Sequence, residues 1–213
     1  MTSERDTAPP GPPPATTQER LVASARELLW ERGYVGTSPK AILQHAGVGQ
    51  GSMYHHFTGK SDLALTAIRR TAEEMRAAAE EIFSGPGTAC DRVAAYLLRE
   101  REVLRGCPIG RMTQDRDVVR DPVLRQPLDD MFGWLRRRLA DVLAEGRASG
   151  ELAAALDPEA TAASIAAVVQ GGYVLARAAE DTAPFDAAVR GLLALLAAQA
   201  TTTTAPAPPH PAR

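Results

Sequence analysis

Apolar residues recur every three or four positions along most of this chain, the spacing that places them on one face of an α-helix. The pattern is clearest in Leu21 to Leu29, Leu128 to Leu143, Ile165 to Tyr173 and Val189 to Leu196. No stretch shows the strict alternation of polar and apolar residues that is typical of a half-buried strand. We therefore predict an all-α fold with a small N-terminal domain and a C-terminal helical bundle.

Prolines, glycines and capping residues predict where the helices begin and end. The first helix is predicted from about Thr17 to Arg32, and a long helix from a cap at Ser61 to about Phe83. The long helix would extend about 33 Å at 1.5 Å per residue, enough to connect the two domains. Further helix starts are predicted at Asp121-Pro122, Asp157-Pro158 and Pro184. Inward positions predicted for the bundle include Val93, Tyr96, Leu97 and Leu104 in one helix, and Leu175 and Leu195 in the last two.

Two short helices joined by a tight turn are predicted between Thr37 and Lys60. Ser38 followed by Pro39 is a helix start, because a hydroxyl caps free amide groups and proline at the first helical position needs no amide hydrogen. Gly47 ends this helix, since glycine readily adopts the positive φ of a helix terminus. The second helix is predicted over about Gly49 to His56.

The second of these helices has an unusual outward face. Its outward side chains are small or planar hydrogen-bonding groups rather than a mixture of Glu and Lys: Gln50, Ser52 and His55, with Tyr54 either outward or half-inward. Gly49 and Gly51 lower the helix propensity by roughly 1 kcal/mol each, but they would let the backbone approach another surface closely. A helix-turn-helix presents the start of its second helix to base edges in the DNA major groove, where backbone amides also suit phosphate.

Residues 17–65 resemble the DNA-binding domain of the TetR family of bacterial transcriptional regulators. The resemblance rests on Gly33-Tyr34 at a helix end, Ala46-Gly47-Val48 at the turn, the run from Gly51 to Phe57, and Lys60. It implies that the second short helix faces DNA and that Lys60 contacts a phosphate. Lys40 replaces an acidic residue common in the family and would add a DNA-facing cation. The full set predicted to contact DNA is Thr37, Ser38, Lys40, Gly49, Gln50, Gly51, Ser52, Tyr54, His55 and Lys60.

Charge and composition are compatible with DNA binding by the N-terminal part alone. The net charge of the chain is −2, but residues 17–70 carry a formal charge of +3 and residues 71–213 carry −4. With two cysteines, no signal peptide and no apolar run long enough for a membrane helix, we expect a cytoplasmic protein with free thiols. We expect disorder in the Pro-rich residues 1–15, a DNA-binding domain over 16–62, a ligand-binding and dimerisation domain over 63–200, and a disordered tail over 201–213.

The last two long helices are rich in alanine and apolar on a wide face. This pattern is compatible with ordinary core, or with a dimer interface in which two helices from each subunit form a four-helix bundle, as in TetR-like proteins. We predict a homodimer through these helices, partly on that resemblance. Two copies of one DNA-reading helix require a near-palindromic double-stranded operator, with half-sites about 34 Å apart.

A small-molecule pocket is predicted in the middle of the C-terminal domain. Its predicted walls are Tyr96, Cys107, Met112, Met131, Trp134 and Tyr173. The alternative is that these aromatic and sulfur-containing side chains are plain core. Gly171-Gly172 inside a helix is compatible with a close crossing, a kink or a widening beside a ligand.

The sequence Gly106-Cys107-Pro108 predicts a helix start with cysteine as the cap. The positive end of that helix, with Arg105 and Arg111 nearby, would favour the thiolate. Cys107 is therefore a candidate sensor of oxidants or electrophiles, and the alternative is a buried structural cysteine.

Three classes of function are compatible with these patterns. The favoured one is a transcriptional repressor that a small-molecule ligand releases from its operator. The second is a DNA-binding protein without an effector. An enzyme is not favoured, because the sequence contains no metal-spaced His/Glu set, no nucleophile elbow and no phosphate-binding loop. No cofactor and no metal are predicted.

Overall fold

The computed structural model describes residues 16–201, which form an all-α fold around a continuous apolar core. No strand is present among these residues, where a single β-bridge joins Leu152 to Ala200. The predictions of disorder for residues 1–15 and 202–213 lie outside the described residues. The helices are α1 (Thr17–Arg32), α2 (Pro39–Ala46), α3 (Gln50–His56), α4 (Lys60–Phe83), α5 (Ala89–Leu98), α6 (Pro108–Met112), α7 (Arg116–Arg120), α8 (Pro122–Ala148), α9 (Pro158–Ala179) and α10 (Ala183–Ala197).

The first three helices form a small N-terminal unit in which α2 and α3 pack on α1. A reciprocal capping box between Thr16 and Glu19 begins α1 and satisfies free amide groups at its start. Gly47 ends α2 in the left-handed conformation, with φ 62° and ψ 40°, as predicted. Met53 of α3 is fully buried, so the inward face of this short helix is anchored in the core.

The long helix α4 begins in the N-terminal unit and packs on α1, α5 and α8. Its 24 residues correspond to about 36 Å, so it connects the two parts of the protein as predicted. The predicted cap at Ser61 is wrong, because the helix already begins at Lys60. The start of the helix is instead held by the carboxylate of Asp62, which accepts a hydrogen bond from the amide of Thr58 at 2.9 Å.

The C-terminal bundle is built from α5, α8, α9 and α10. Three of the residues predicted to point into this bundle do not do so. Leu104 lies outside α5, which ends at Leu98, and is 47% exposed. Leu175 and Leu195 belong to the predicted helices α9 and α10 but are 56% and 70% exposed. Both helices are apolar on more than one face, so periodicity alone does not identify the face that packs on the bundle.

Glycine allows a close crossing between α9 and α10. A Cβ atom added at Gly172 would lie 2.9 Å from Cδ2 of Phe185, whereas one at Gly171 would have no neighbour within 4 Å. Three alternatives were predicted for this pair of glycines. The structure shows the close crossing, and Gly172 is the glycine that allows it.

Helix α9 is long and apolar enough, by length and composition alone, to cross a membrane: it has 22 residues and a mean hydropathy of 1.3 over its most apolar window. It packs between α8 and α10 in the bundle. We therefore interpret its apolar composition as packing surface.

Candidate DNA-binding surface and ligand cavity

The outward face of α3 carries accessible polar side chains on a buried support. Gln50, Tyr54 and His55 are exposed, and Ser52 is half-buried. A Cβ atom added at Gly49 or Gly51 would have no neighbour within 4 Å, so nothing in the protein requires glycine there. Backbone that is open on this side is free to approach another molecule closely.

A groove of about 600 Å³ lies between the outward faces of α2 and α3. It is lined by Ser38, Pro39, Lys40, Leu43, Gln44, Val48, Gln50 and Tyr54. The turn beneath it is fixed to α1, because the guanidinium of Arg20 donates to the carbonyl oxygens of Ala46 and Gly47 at 2.5 and 3.0 Å. The hydroxyl of Ser38 accepts from the amide of Ala41 at 3.1 Å and caps α2 while staying exposed.

Thr37 is fully buried, contrary to the prediction that it contacts DNA. Its hydroxyl donates to the carbonyl oxygens of Gly33 and Leu28, at 2.7 and 3.1 Å, and its amide donates to Tyr34. Both donors are therefore used within the protein. The role of Thr37 is to hold the connection between α1 and α2 in place.

Lys60 lies half-buried at the edge of this surface. Its ammonium is 4.1 Å from the centre of the Tyr34 ring, a cation–π contact. Burial lowers the pKa of Lys60, and the negative charges of Asp115 and Asp117 oppose that shift. The ammonium is thus held over the ring of Tyr34, which limits the positions that it can reach.

Polar contacts join the N-terminal unit to the segment between α5 and α7. The indole Nε1 of Trp30 donates to the carbonyl oxygen of Gly106 at 3.0 Å, and the guanidinium of Arg105 lies 3.7 Å from the centre of the Trp30 ring. The carboxylate of Asp115 accepts from the amide of Val35 at 2.8 Å. A displacement of this segment would therefore directly disturb the contacts that position α1 and the loop that precedes α2.

A cavity of about 580 Å³ opens between α1, α4, the α5–α6 segment, α8 and α9. Four of the six residues predicted as pocket walls line it: Tyr96, Cys107, Met131 and Tyr173. Met112 does not, because it faces a small recess against α1 and α4. Trp134 does not either, because it is rotated by about 100° around α8 from Leu135, which does face the cavity.

The wall of the cavity also contains Trp30, which no sequence signal singled out. Trp30 belongs to α1, so only the packing of the N-terminal unit against the bundle brings it to the cavity. A molecule in this cavity would touch a helix that supports the DNA-binding face. The sequence prediction had confined the cavity to the C-terminal domain.

The phenols of the cavity are neutral hydrogen-bonding groups near neutral pH. Burial raises the pKa of Tyr96, and it raises the pKa of Tyr173 to about 12. The buried thiol of Cys107 caps α6 as predicted, with Sγ accepting from the amide of Gly110 at 3.3 Å.

Comparison with known proteins identifies both parts of the chain. Residues 21–67 match the family model "Bacterial regulatory proteins, tetR family", and residues 87–192 match "Tetracyclin repressor-like, C-terminal domain". An HTH-type transcriptional regulator of Mycobacterium tuberculosis is 30% identical over 196 residues, which cover 85% of this chain and 95% of the relative. The chain belongs to the TetR family. Its all-α fold and its function as a DNA-binding transcriptional regulator, both predicted from the sequence, are thereby confirmed.

Solved TetR-family structures resemble this chain over most of its length. A TetR transcriptional regulator from Chloroflexus aurantiacus has a TM-score of 0.79 and 29% identity, with 86% of this chain and 96% of that chain covered. A cysteine mutant of the TetR-family regulator CifR, complexed with 26-bp double-strand operator DNA, has a TM-score of 0.73 and 24% identity. That match covers 87% of this chain and 100% of CifR.

Proposed function

We propose that this TetR-family regulator is a homodimeric repressor that binds a near-palindromic operator through α3 and leaves it when a small molecule occupies the cavity. The main observation that supports sequence-specific DNA binding is the outward face of α3. Gln50, Tyr54 and His55 are exposed there, next to two glycines with no neighbouring atoms on their open side. The complex of CifR, a protein of the same fold, with double-strand operator DNA supports DNA binding by this fold. The proposed DNA contacts are those predicted from the sequence without Thr37.

The proposed dimer interface consists of the outward apolar side chains of α9 and α10. Val174, Leu175 and Leu195 are 53%, 56% and 70% exposed, which is unusual for large apolar residues on two neighbouring helices. Covering them with the same helices of a second copy removes this apolar surface from water. The resulting twofold symmetry presents two α3 helices to one duplex.

The proposed response to a ligand uses the walls that the cavity shares with the N-terminal unit. Trp30 of α1 and Met75 and Ala78 of α4 line the cavity, and both helices contact the DNA-binding part. A ligand can release the operator only if it binds the DNA-incompetent arrangement more tightly than the DNA-competent one. The placement of α1 and α4 supports such a difference, because moving either helix changes the cavity and the DNA-binding surface together.

Selection of bound sequences from random double-stranded DNA tests this function. The full chain is expected to enrich a near-palindrome whose half-sites are separated by about one helical turn, or roughly 34 Å. Enrichment of a single, unrepeated site would contradict the dimeric mode of reading. An absence of any enriched sequence would contradict sequence-specific binding itself.

Gln50→Ala is expected to weaken binding to the selected operator by about 1–3 kcal/mol, the typical contribution of a side-chain amide that makes two hydrogen bonds to one base. Its affinity for random DNA should change little, because phosphate contacts remain. Fluorescence anisotropy with both duplexes measures the difference. Gln126→Ala on α8, an exposed glutamine outside the reading face, is the matched control. An equal loss on operator and random DNA would show that Gln50 does not read a base.

Lys60→Ala is expected to weaken binding to the operator and to random DNA alike, because a phosphate contact carries no sequence information. The slope of log Kd against log salt concentration should decrease by about one, as one fewer counterion is released. Titrations at several salt concentrations measure this slope. Arg136→Ala, which removes an exposed cation from α8, should leave the slope unchanged. An unchanged slope for Lys60→Ala would remove Lys60 from the interface.

The remaining sequence-based expectations stay proposals. Cys107 lies on the wall of the cavity, which supports contact between its thiol and a molecule bound there, and sensing of oxidants or electrophiles is the second candidate function. A regulator without an effector is disfavoured by the size of the cavity.

The homologous proteins are bacterial transcriptional regulators, so we propose a cytoplasmic location. We also retain the proposed domain boundary between residues 62 and 63, inside α4.

A further inference from the structure

The carboxylates on the cavity wall are mostly neutralised by arginines outside it. Glu74 forms ion pairs with Arg26 and Arg70, and Glu102 pairs with Arg105 at 3.2 Å. Glu100, the third carboxylate of the wall, is exposed to solvent. The acidic groups therefore contribute little net negative charge to the interior of the cavity.

The arginines of the wall have no such partners. Arg99 and Arg101 both line the cavity, and within residues 16–201 neither has a carboxylate within 4.0 Å. Two neighbouring cations of this kind repel each other, and this repulsion is stronger where water is partly excluded. An anion placed between them would relieve it.

Arg101 is a cation held by carbonyl groups at the end of α5. Its guanidinium donates to the carbonyl oxygens of Leu97 at 2.6 Å and Arg99 at 2.9 Å, and also to that of Tyr96. Its Nε is buried without a hydrogen-bond acceptor in the part of the chain that the structure describes. Burial lowers the pKa of Arg101, and the nearby positive charge of Arg99 lowers it further. The carbonyl groups fix the cation in position but supply no full negative charge.

Arg99 is the more available of the two cations. Its guanidinium stacks 4.4 Å from the centre of the Tyr96 ring, and it makes no hydrogen bond to any described residue. A stacked guanidinium keeps its planar set of donors free, and this fork matches the two oxygens of a carboxylate, sulfonate or phosphate group.

Most of the remaining wall is apolar and aromatic. It includes Trp30, Met75, Met131, Phe132, Leu135 and Val169. The volume of about 580 Å³ lies within the range of small-molecule sites, which commonly combine an apolar lining with a few polar groups that orient the ligand.

We infer that the cavity binds an amphipathic organic anion, with an apolar body against Trp30, Met131 and Phe132 and one anionic group at Arg99 and Arg101. A cationic ligand is disfavoured, because it would lie beside two arginines while the carboxylates are already paired or solvated. As a statement about the effector, this inference rests on the proposed function. As a statement about binding, it is independent of DNA.

Two fluorescent probes with the same carbon skeleton test the inference. One is 8-anilino-1-naphthalenesulfonate, which carries a sulfonate, and the other is the neutral N-phenyl-1-naphthylamine. Arg99→Gln is expected to weaken sulfonate binding about 10-fold, the effect of losing one charge-assisted contact, and to leave the Kd of the neutral probe within about 2-fold. Because the guanidinium of Arg99 makes no hydrogen bond to any described residue, and the backbone carbonyl that Arg101 binds is kept, this variant should fold normally. Arg99→Lys should recover part of the lost affinity.

The site of binding is read from tryptophan fluorescence. The chain has two tryptophans, so Trp134→Phe leaves Trp30, on the cavity wall, as the single reporter. The bound sulfonate should quench Trp30, and Ala78→Phe, which narrows the cavity, should weaken both probes. Arg116→Gln, which removes an exposed cation outside the cavity, is the matched control and should change neither Kd.

The outcomes separate the ligand class from the proposed function. An unchanged sulfonate Kd in Arg99→Gln, an equal loss for both probes, or sulfonate binding without quenching of Trp30 would each overturn the inference. Binding of the unliganded protein to its selected operator is measured separately. If the protein binds its operator but shows any of these three results, the inference of an anionic ligand is wrong and the proposed repressor function is unaffected. If the protein does not bind an operator but shows the predicted probe affinities, the proposed repressor function is wrong and the inference of an anionic ligand is unaffected.

Discussion

The double variant Leu175→Glu, Leu195→Glu is expected to be a monomer that binds the operator at least about 100-fold more weakly than the wild type. The two leucines are 56% and 70% exposed on neighbouring helices, so the isolated subunit should tolerate glutamate at both positions. A dimer, in contrast, would have to bury four carboxylates without partners. Sedimentation velocity measures the oligomeric state, and anisotropy on the selected operator measures the affinity.

The loss of affinity has a simple physical origin. When two reading heads are linked, the second half-site contact becomes intramolecular, and this advantage disappears in a monomer although every DNA contact of one α3 is retained. Val123→Glu is the control, because Val123 is 57% exposed on α8, outside the proposed interface. A dimer that persists in the double variant would place the interface elsewhere on the surface.

Phe83→Ala is expected to lower the free energy of unfolding by about 3–5 kcal/mol, the usual cost of deleting a fully buried phenylalanine ring. Phe83 is 0% exposed at the end of α4, and its ring centre lies 4.9 Å from that of Tyr96. The substitution removes packing where the long helix meets the bundle. Urea denaturation at one fixed protein concentration measures the effect, because the stability of a dimer depends on concentration.

Phe132→Ala provides the comparison for this prediction. Phe132 is only half-buried on the cavity wall, so the same deletion should cost less because less packed surface is lost. A loss below about 1 kcal/mol for Phe83→Ala would mean that the end of α4 is not part of the cooperative core.

Much of the helical framework could be predicted because its signals are local. The bounds of α1, the cap at Ser38, the left-handed Gly47 and the cap at Cys107 depend on residues within one or two turns of each site. Hydroxyl, carboxylate and thiol caps satisfy free amide groups of their own helix, and proline at the next position favours the same geometry. The start of α4 was missed by two residues because the helix begins at Lys60, and Asp62 rather than Ser61 accepts the hydrogen bond that holds its start.

The polar outward face of α3 could be predicted for a related reason. Its residues come almost entirely from one continuous stretch, so the period of a short helix is sufficient to separate buried Met53 from exposed Gln50 and His55. The period left Tyr54 between the two faces, and the structure shows it exposed. Thr37 is the exception, because its burial depends on the carbonyl oxygens of Leu28 and Gly33 at the end of another helix.

By itself, the sequence determined the all-α class, most helix boundaries and the polar face of α3, because capping and helical periodicity act between neighbours in the chain. Only the tertiary structure decided which surfaces meet. It brought Trp30 of α1 to the cavity, turned Trp134 away from it, and left Leu175 and Leu195 exposed. These outcomes depend on how whole helices pack against one another. On apolar helices such as α9 and α10, several faces satisfy the same local pattern, and only their neighbours in space select the one that is buried.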